Sequence, residues 1–399
     1  MRMLKIIRAT TVPMSLDTFC KGILRDLSEK YEVIGLSSPG DALDEVVRRE
    51  GIRTIAVPMK RHISPFNDIV SLWNLICVFR KEKPTMVHSM TPKAGLLCMV
   101  AGWMTRVPVR VHTFTGLVFP TSTGLKRRIL MATDWLTCAC ATHVIPEGEG
   151  VKNDLQNNGI TKKPLRVLGF GNVMGVDMKR FSRRPEIMEI VEQKSLRSPN
   201  RFTFLTIGRI VSAKGINEMV TAFQRLQEVN QNVRLILVGD YEDDLDPISD
   251  DTRIAIRDNN GIEAVGRKTG DELLAYYAAA DCYVSASYRE GFPNTVLEAG
   301  AMGLPSIVTD INGSREIIRN GENGIIIPSK NAEALFLAMK EMMTNHSARK
   351  MMASNARKMT ADRFEQGFVR KCLYDFYDEV LASFSSAPYD ELQNLNTEL

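Results

Sequence analysis

Short runs of aliphatic and β-branched residues alternate, along the first half of the chain, with longer segments that mix apolar and polar positions. Leu4 to Ile7, Glu32 to Leu36, Thr54 to Val57, Met86 to His88, Val109 to Thr113 and His143 to Ile145 read as strands. Leu16 to Lys30, Asp68 to Glu82 and Pro92 to Trp103 are long enough for crossover helices. This alternation predicts a mostly parallel sheet covered on both sides. A polar, glycine-rich passage from Leu168 to Arg184 and a charged helical stretch from Pro185 to Lys194 interrupt it. A second series then opens with strands at Phe202 to Ile207, Arg234 to Val238, Ile262 to Val265, Cys282 to Val284 and Ser306 to Thr309.

The break between the two series falls near residues 175–198, giving domains at 1–180 and 196–365. Arg357 to Phe384 reads as one or two helices, with Phe364, Phe368, Leu373, Phe376, Tyr377, Val380 and Leu381 on an apolar side. A polar tail from Ser385 onward is expected to fray or dock loosely. The fold class expected is α/β, with two Rossmann-like domains and a cleft between the carboxyl ends of their strands.

A chain of 399 residues fits two domains, and 44% hydrophobic with 25% charged residues excludes large-scale disorder. The net charge of +4 gives no argument for nucleic-acid binding. Basic residues gather in the first half at Lys60 to His62, at Arg80, Lys81 and Lys83, at Arg106 and Arg110, and at Lys126 to Arg128, around apolar stretches at Ile69 to Phe79 and Ala94 to Met104. Neither stretch reaches the ~20 apolar residues of a membrane span. Two readings fit them: peripheral helices lying on an anionic membrane, or core helices with solvated basic ends. The basic, then apolar, N-terminus reads as a first strand rather than a signal peptide. Seven scattered cysteines form neither a disulfide framework nor a CxxC site, which suits a reducing cytoplasm.

The sharpest chemistry lies in the second half. Gly208 and Arg209 end a strand, and Lys214 and Gly215 follow just before a helix from Ile216 to Val229. Glycines let a backbone approach a ligand, and two cations beside a helix N-terminus suit a diphosphate. A βα turn with solvated charges is the plain alternative. Glu290 and Glu298 stand eight positions apart, in a loop and on the following helix, which Asn294 can cap. One carboxylate could reach sugar hydroxyls and the other a ribose, with backbone N–H groups around Phe292 to Val296, a run through Pro293, Asn294 and Thr295, facing the diphosphate. A glycosidase pair is disfavoured, because both carboxylates lie beside the phosphate nest.

No G-x-G-x-x-G turn follows the first strand, which disfavours NAD or FAD there. His88, His112 and His143 sit near strand ends without metal spacing, and each also reads as a buried, hydrogen-bonded histidine. His112, followed by Thr113, Thr115 and Gly116, is the best candidate to orient a sugar. Gly169, Gly171, Asn172, Gly175, Val176 and Asp177 suit a crossover or hinge. The acidic run from Asp240 to Asp251 reads as a solvated loop rim rather than a metal site.

These pieces resemble the family 4 retaining glycosyltransferases of GT-B architecture. The likeness is carried by GRIVSAKG at Gly208 to Gly215, REGFPNTVLEAGAMGLP at Arg289 to Pro305, and Gly313, Glu316, Gly321 and Gly324; GNVMGVD at Gly171 to Asp177 looks like the family's domain-crossing segment. The resemblance implies a nucleotide-sugar donor in the second domain, with uridine the base expected. Arg209 and Lys214 would bind its diphosphate, Glu298 its ribose and Glu290 the transferred sugar. It implies no metal and no further cofactor, and a final helical region, 366–385, that packs on the first domain.

TTVPMSL, HSMTPKAG and HTFTGLVFP look closest to bacterial enzymes that build capsular, exopolysaccharide or O-antigen repeats on a polyprenyl-diphosphate lipid. That implies a glycolipid or oligosaccharide acceptor and peripheral contact with the cytoplasmic membrane face. One departure is Thr115, which stands where many relatives carry a histidine before Gly116; His112 is given a sugar-contact role instead. The departure leaves an inactive nucleotide-sugar-binding regulator, or an epimerase of the same architecture, as alternatives.

Overall fold

A computed structural model describes residues 3–62, 64–244 and 246–385. The polar tail from Ser386 on lies outside the described residues. The chain divides into two units, one of Met1–Met174 with Gly367–Leu399, the other of Gly175–Gln366.

In the first unit the elements run β1 (Lys5–Ala9), α1 (Pro13–Phe19), α2 (Ile23–Ser28), β2 (Glu32–Ser37), α3 (Ala42–Glu50), β3 (Arg53–Ala56) and α4 (Pro65–Glu82). They continue with β4 (Met86–Ser89), α5 (Pro92–Met104), β5 (Val109–Phe114), α6 (Gly124–Cys140), β6 (His143–Pro146) and α7 (Glu149–Asn157). The six strands are parallel in the order β3-β2-β1-β4-β5-β6. Strand order reverses between β1 and β4, the place where doubly wound sheets open to ligands. Leu75, Ile76 and Phe79 of α4 pack with Val87, Cys98 and Cys138 on one face of this sheet. Full burial of each such side chain is worth roughly 1.5–3 kcal/mol.

The helix expected from Leu16 is broken in two. Gly22 adopts φ +77°, and the buried Glu50 carboxylate accepts the amides of Gly22 at 2.9 Å and Arg25 at 3.1 Å, starting α2 afresh. α1 begins at Pro13 without a side-chain cap, and Asp17 pairs with Arg49.

The second unit runs α8 (Pro185–Gln193), β7 (Phe202–Ile207), α9 (Ile216–Val229), β8 (Val233–Val238), α10 (Asp250–Asp258), β9 (Ile262–Ala264), α11 (Gly270–Ala279) and β10 (Cys282–Ser285). Then come α12 (Asn294–Ala301), β11 (Ser306–Thr309), α13 (Ser314–Ile317), β12 (Gly324–Ile327), α14 (Ala332–Thr344) and α15 (His346–Phe364). Its sheet repeats the same parallel winding, in the order β12-β11-β10-β7-β8-β9, with its reversal between β7 and β10. β12 is not among the strands read from sequence, because its short apolar run opens on a glycine turn. α8 belongs to this unit rather than to a linker, since Ile187 and Val191 are buried in its core. The division therefore falls at 174/175, earlier than residue 180.

α16 (Gln366–Ser385) returns to the first unit. Glu365, at φ −57° and ψ 135°, ends α15 and separates the apolar residues of the two helices. Phe364 is buried in the second unit's core, whereas Leu373, Phe376, Tyr377 and Leu381 pack with Leu16, Ile23 and Val111 of the first. Phe368 is 39% exposed, against expectation, with its ring 5.9 Å from that of Phe170. Tyr377 also joins a buried polar knot. The Arg8 guanidinium donates to the Tyr377 hydroxyl at 2.7 Å and to His88 Nδ1 at 2.6 Å. Because arginine can only donate, His88 carries its proton on Nε2 and donates to Thr113 Oγ1 at 2.7 Å. No helix among the described residues is long and apolar enough to cross a membrane.

Candidate functional site

In the second unit the loops leaving β7 and β10 meet at the strand-order reversal. Their contact is too close for side chains: a Cβ on Gly215, at φ +70°, would stand 2.0 Å from the Ala286 carbonyl oxygen. Gly313, at φ +75°, lets the loop after β11 approach in the same way, since its Cβ would fall 2.3 Å from the Gly291 oxygen. Gly239, after β8, does this beneath Gly208, with 1.9 Å to the Gly208 oxygen. Backbone bonds fasten the loops, with the Tyr288 amide donating to Ala213 O at 2.9 Å.

This convergence joins Lys214 to Glu290 as an ion pair, and Ser287 Oγ donates to the same Glu290 oxygen at 2.8 Å. Both members of the pair are partly exposed. Ser287 is in turn fixed by Thr309, whose hydroxyl donates to its carbonyl at 2.6 Å. Arg209 does not converge on Lys214 but pairs with Glu242, and half of its side chain is exposed. The acidic run is thus more than a solvated rim. Glu242 holds Arg209, Asp243 holds Arg253, Asp246 accepts the Ala213 amide at 2.8 Å, and Asp240 accepts the Arg267 amide at 3.1 Å.

Glu298 lies on α12, partly buried, and accepts a 2.7 Å hydrogen bond from the Tyr277 hydroxyl. Burial raises its pKa to about 7, against the smaller downward pulls of Tyr277 and Arg180. Tyr283, on β10, lies within electrostatic reach of both Glu290 and Glu298. α12 starts differently from expectation. Pro293 occupies the cap position, Asn294 is the first helical residue, and no side chain caps the helix. The Val296 amide donates to Pro293 O at 3.0 Å, so it is already used inside the turn. Phe292 is a core side chain, edge-on to Phe364 at 5.4 Å, and Pro293 is also buried. Those two positions offer backbone, not side chains. Thr295 and Asn294 are partly exposed at the helix start.

The first unit corrects the reading of His112. Its ring is 1% exposed, lies edge-on to Phe114 at 4.5 Å, and packs on α5 where Gly95 leaves room. Its Nδ1 is 2.9 Å from Ser89 Oγ, and burial lowers its pKa to about 3. His112 is a neutral core residue with no face open to a sugar. His88 is likewise buried, and burial holds its pKa well below 6.5. Thr115, partly exposed, donates to Met90 O at 3.1 Å. At this sheet's own reversal point Thr11 and Thr91 bridge the loops after β1 and β4 with a 2.7 Å hydroxyl contact.

Sequence reasoning missed Tyr277, Ser287 and Gly239. Only Gly239 left a signal, a glycine directly after a strand.

Two doubly wound units in tandem, the second with a lysine–carboxylate pair at its reversal point, define an α/β protein of the double-Rossmann class. Residues 188–359 match the family of glycosyl transferases group 1, and residues 22–171 match the glycosyl transferase 4-like domain. The chain is 30% identical over 326 residues to the capsular polysaccharide biosynthesis glycosyltransferase CapM of Staphylococcus aureus, covering 82% of this chain and 84% of that one. It belongs to this glycosyltransferase family. It is also 25% identical over 331 residues to the UDP-Gal:alpha-D-GlcNAc-diphosphoundecaprenol alpha-1,3-galactosyltransferase of Escherichia coli, covering 81% and 82% of the two chains. Among solved structures, Anabaena HepE in complex with UDP aligns with a TM-score of 0.78 at 16% identity, over 94% of this chain and 100% of that one, a likeness of fold.

Proposed function

We propose that this glycosyltransferase moves a sugar from a UDP-linked donor to a saccharide carried on a polyprenyl diphosphate, with retention at the anomeric carbon and without a divalent metal. The observation that carries the reading is the Lys214–Glu290 pair on the two reversal-point loops. A cation and an acceptor carboxylate side by side suit a diphosphate and the sugar attached to it. In this reading Lys214 binds the diphosphate, Arg209 joins it by exchanging Glu242 for phosphate oxygens, and Gly208 leaves the approach open. Glu290 takes hydroxyls of the transferred sugar and Glu298 those of the ribose, with backbone at Phe292 to Thr295 nearby. The names of the Escherichia coli and Staphylococcus aureus relatives support a UDP-sugar, a lipid-diphosphate acceptor and a place in polysaccharide assembly.

The chemical step follows from those contacts. The acceptor hydroxyl oxygen bonds to the anomeric carbon as the bond from that carbon to the phosphate oxygen breaks. The hydroxyl proton passes to the departing phosphate oxygen on the same face. Lys214 and Arg209 stabilise the charge that develops there, a contribution of several kcal/mol in sites of this type.

The test is a panel of UDP-sugars and polyprenyl-diphosphate saccharides, with products resolved by NMR. Transfer with the donor's anomeric configuration, unaffected by EDTA, is expected. An inverted product, loss of turnover in EDTA restored only by a divalent ion, donor conversion without acceptor, or donor binding with no transfer across the panel would each overturn the corresponding part.

A further inference from the structure

Both cations at the second unit's reversal point hold carboxylates, and the two carboxylates differ. Glu290, paired with Lys214, also accepts from Ser287 and has a use for the transferred sugar. Glu242, paired with Arg209, lies on the loop after β8 and has no such use. A carboxylate and a phosphate match the same fork of guanidinium donors, so Glu242 stands where a diphosphate would bind.

An exposed arginine pairing with whichever acid lies nearby is worth little. Glu242 is placed more firmly than that. The loop after β8 is fastened to the loop after β7 at successive levels. The Ile210 amide donates to Asp240 O at 2.8 Å, and Ile210 forms a parallel bridge with Tyr241. The Ser212 amide donates to Asp246 O at 3.3 Å and the Ala213 amide to Asp246 Oδ2 at 2.8 Å. The Asp246 amide donates in turn to Glu242 O at 3.3 Å. These backbone bonds flank Glu242 on both sides and keep it beside Arg209 whatever the guanidinium binds.

The charges around Glu242 leave it to Arg209. Arg253 pairs with Asp243 and lies 4.8 Å over the Tyr241 ring, so its charge is already engaged. Among the described residues Glu242 forms no ion pair with another cation. Once Arg209 turns to phosphate, Glu242 becomes an unpaired anion next to a more strongly charged one, and the repulsion favours the earlier pairing. Such an acid weakens donor and product alike, since both carry the diphosphate. Its use lies in the product, because a nucleoside diphosphate that leaves slowly delays the next turnover.

We propose that Glu242 sets the affinity of this site for diphosphate: it competes with the ligand for Arg209 and, by recapturing that guanidinium, hastens departure of the nucleoside diphosphate after transfer. The inference rests on the reading that Arg209 binds the diphosphate.

Calorimetric titration and stopped-flow release of UDP test it on the unaltered chain, Glu242→Gln, Arg209→Ala and the double variant, with thermal unfolding as the check on folding. Glu242→Gln keeps the shape of the side chain and removes its charge. It is expected to bind UDP at least about fivefold more tightly, mostly through slower dissociation, while uridine, which has no phosphate, binds as it does to the unaltered chain. The gain should vanish when Arg209 is alanine. Unchanged or weaker UDP binding by Glu242→Gln, an equal gain for uridine, or the same gain without Arg209 would overturn the inference and leave the transferase reading standing, provided Arg209→Ala alone weakens UDP binding. If Arg209→Ala binds UDP as the unaltered chain does, the assignment of Arg209 fails and the inference falls with it.

Discussion

A carboxyl group whose pKa lies near 7 changes charge across the range in which enzymes are assayed, and Glu298 is such a group. Its two roles depend on pH in opposite senses. As a partner for ribose hydroxyls it acts best ionised, so UDP affinity should rise from pH 6 to pH 8. For stability the sign reverses. The folded pKa is raised from 4.5 to about 7, so the group's contribution is fully present below 4.5 and is lost as pH rises through 7. Glu298→Gln should flatten both profiles, and Tyr277→Phe, which removes a bond that lowers the pKa, should move the binding midpoint above 7; calorimetric titration across pH reads each. His112 gives the contrary case. Its folded pKa of about 3 lies below the ordinary 6.5, so its stabilisation is present above 6.5 and lost as pH falls toward 3. His112→Asn should reduce the acid dependence of urea unfolding yet leave UDP affinity unchanged; a loss of UDP affinity would return the residue to the site.

Elements place these residues, and here glycines decide. Gly215→Ala would put a methyl group against the Ala286 carbonyl at a positive φ, so it should cost at least about 1–3 kcal/mol in urea unfolding and separate Lys214 from Glu290. Unaltered stability and turnover would mean that the loops are not held as described. Most strands and the paired loops were legible in the sequence, because buried parallel strands are short apolar runs and phosphate-type turns concentrate glycine and charge. The split of α1 from α2 was not, since it depends on Glu50, distant in sequence, capping a new helix start. Whether His112 is buried or faces a ligand was open in the sequence, because alternation along a strand does not say which face meets a helix. The pairing of Arg209 with Glu242 was hidden for the same reason: both charges were visible, but their partnership is tertiary.

On the scale of the whole chain, two parallel sheets of one winding are built in succession, and the last helix returns to the first. Leu373 is 8% exposed within that unit's core, so Leu373→Ala should destabilise it by about 2–5 kcal/mol and raise hydrogen exchange in β1 and β4 along with α16. Exchange confined to α16 would show a helix that merely rests there. The central claim concerns the other unit, that Lys214 at its strand-order reversal holds the diphosphate of a nucleotide-sugar. Calorimetric titration of UDP into the unaltered chain and into Lys214→Ala addresses it most directly. The account predicts binding that weakens about tenfold or more in the variant, with unchanged thermal unfolding. Equal affinity in the two proteins would contradict it.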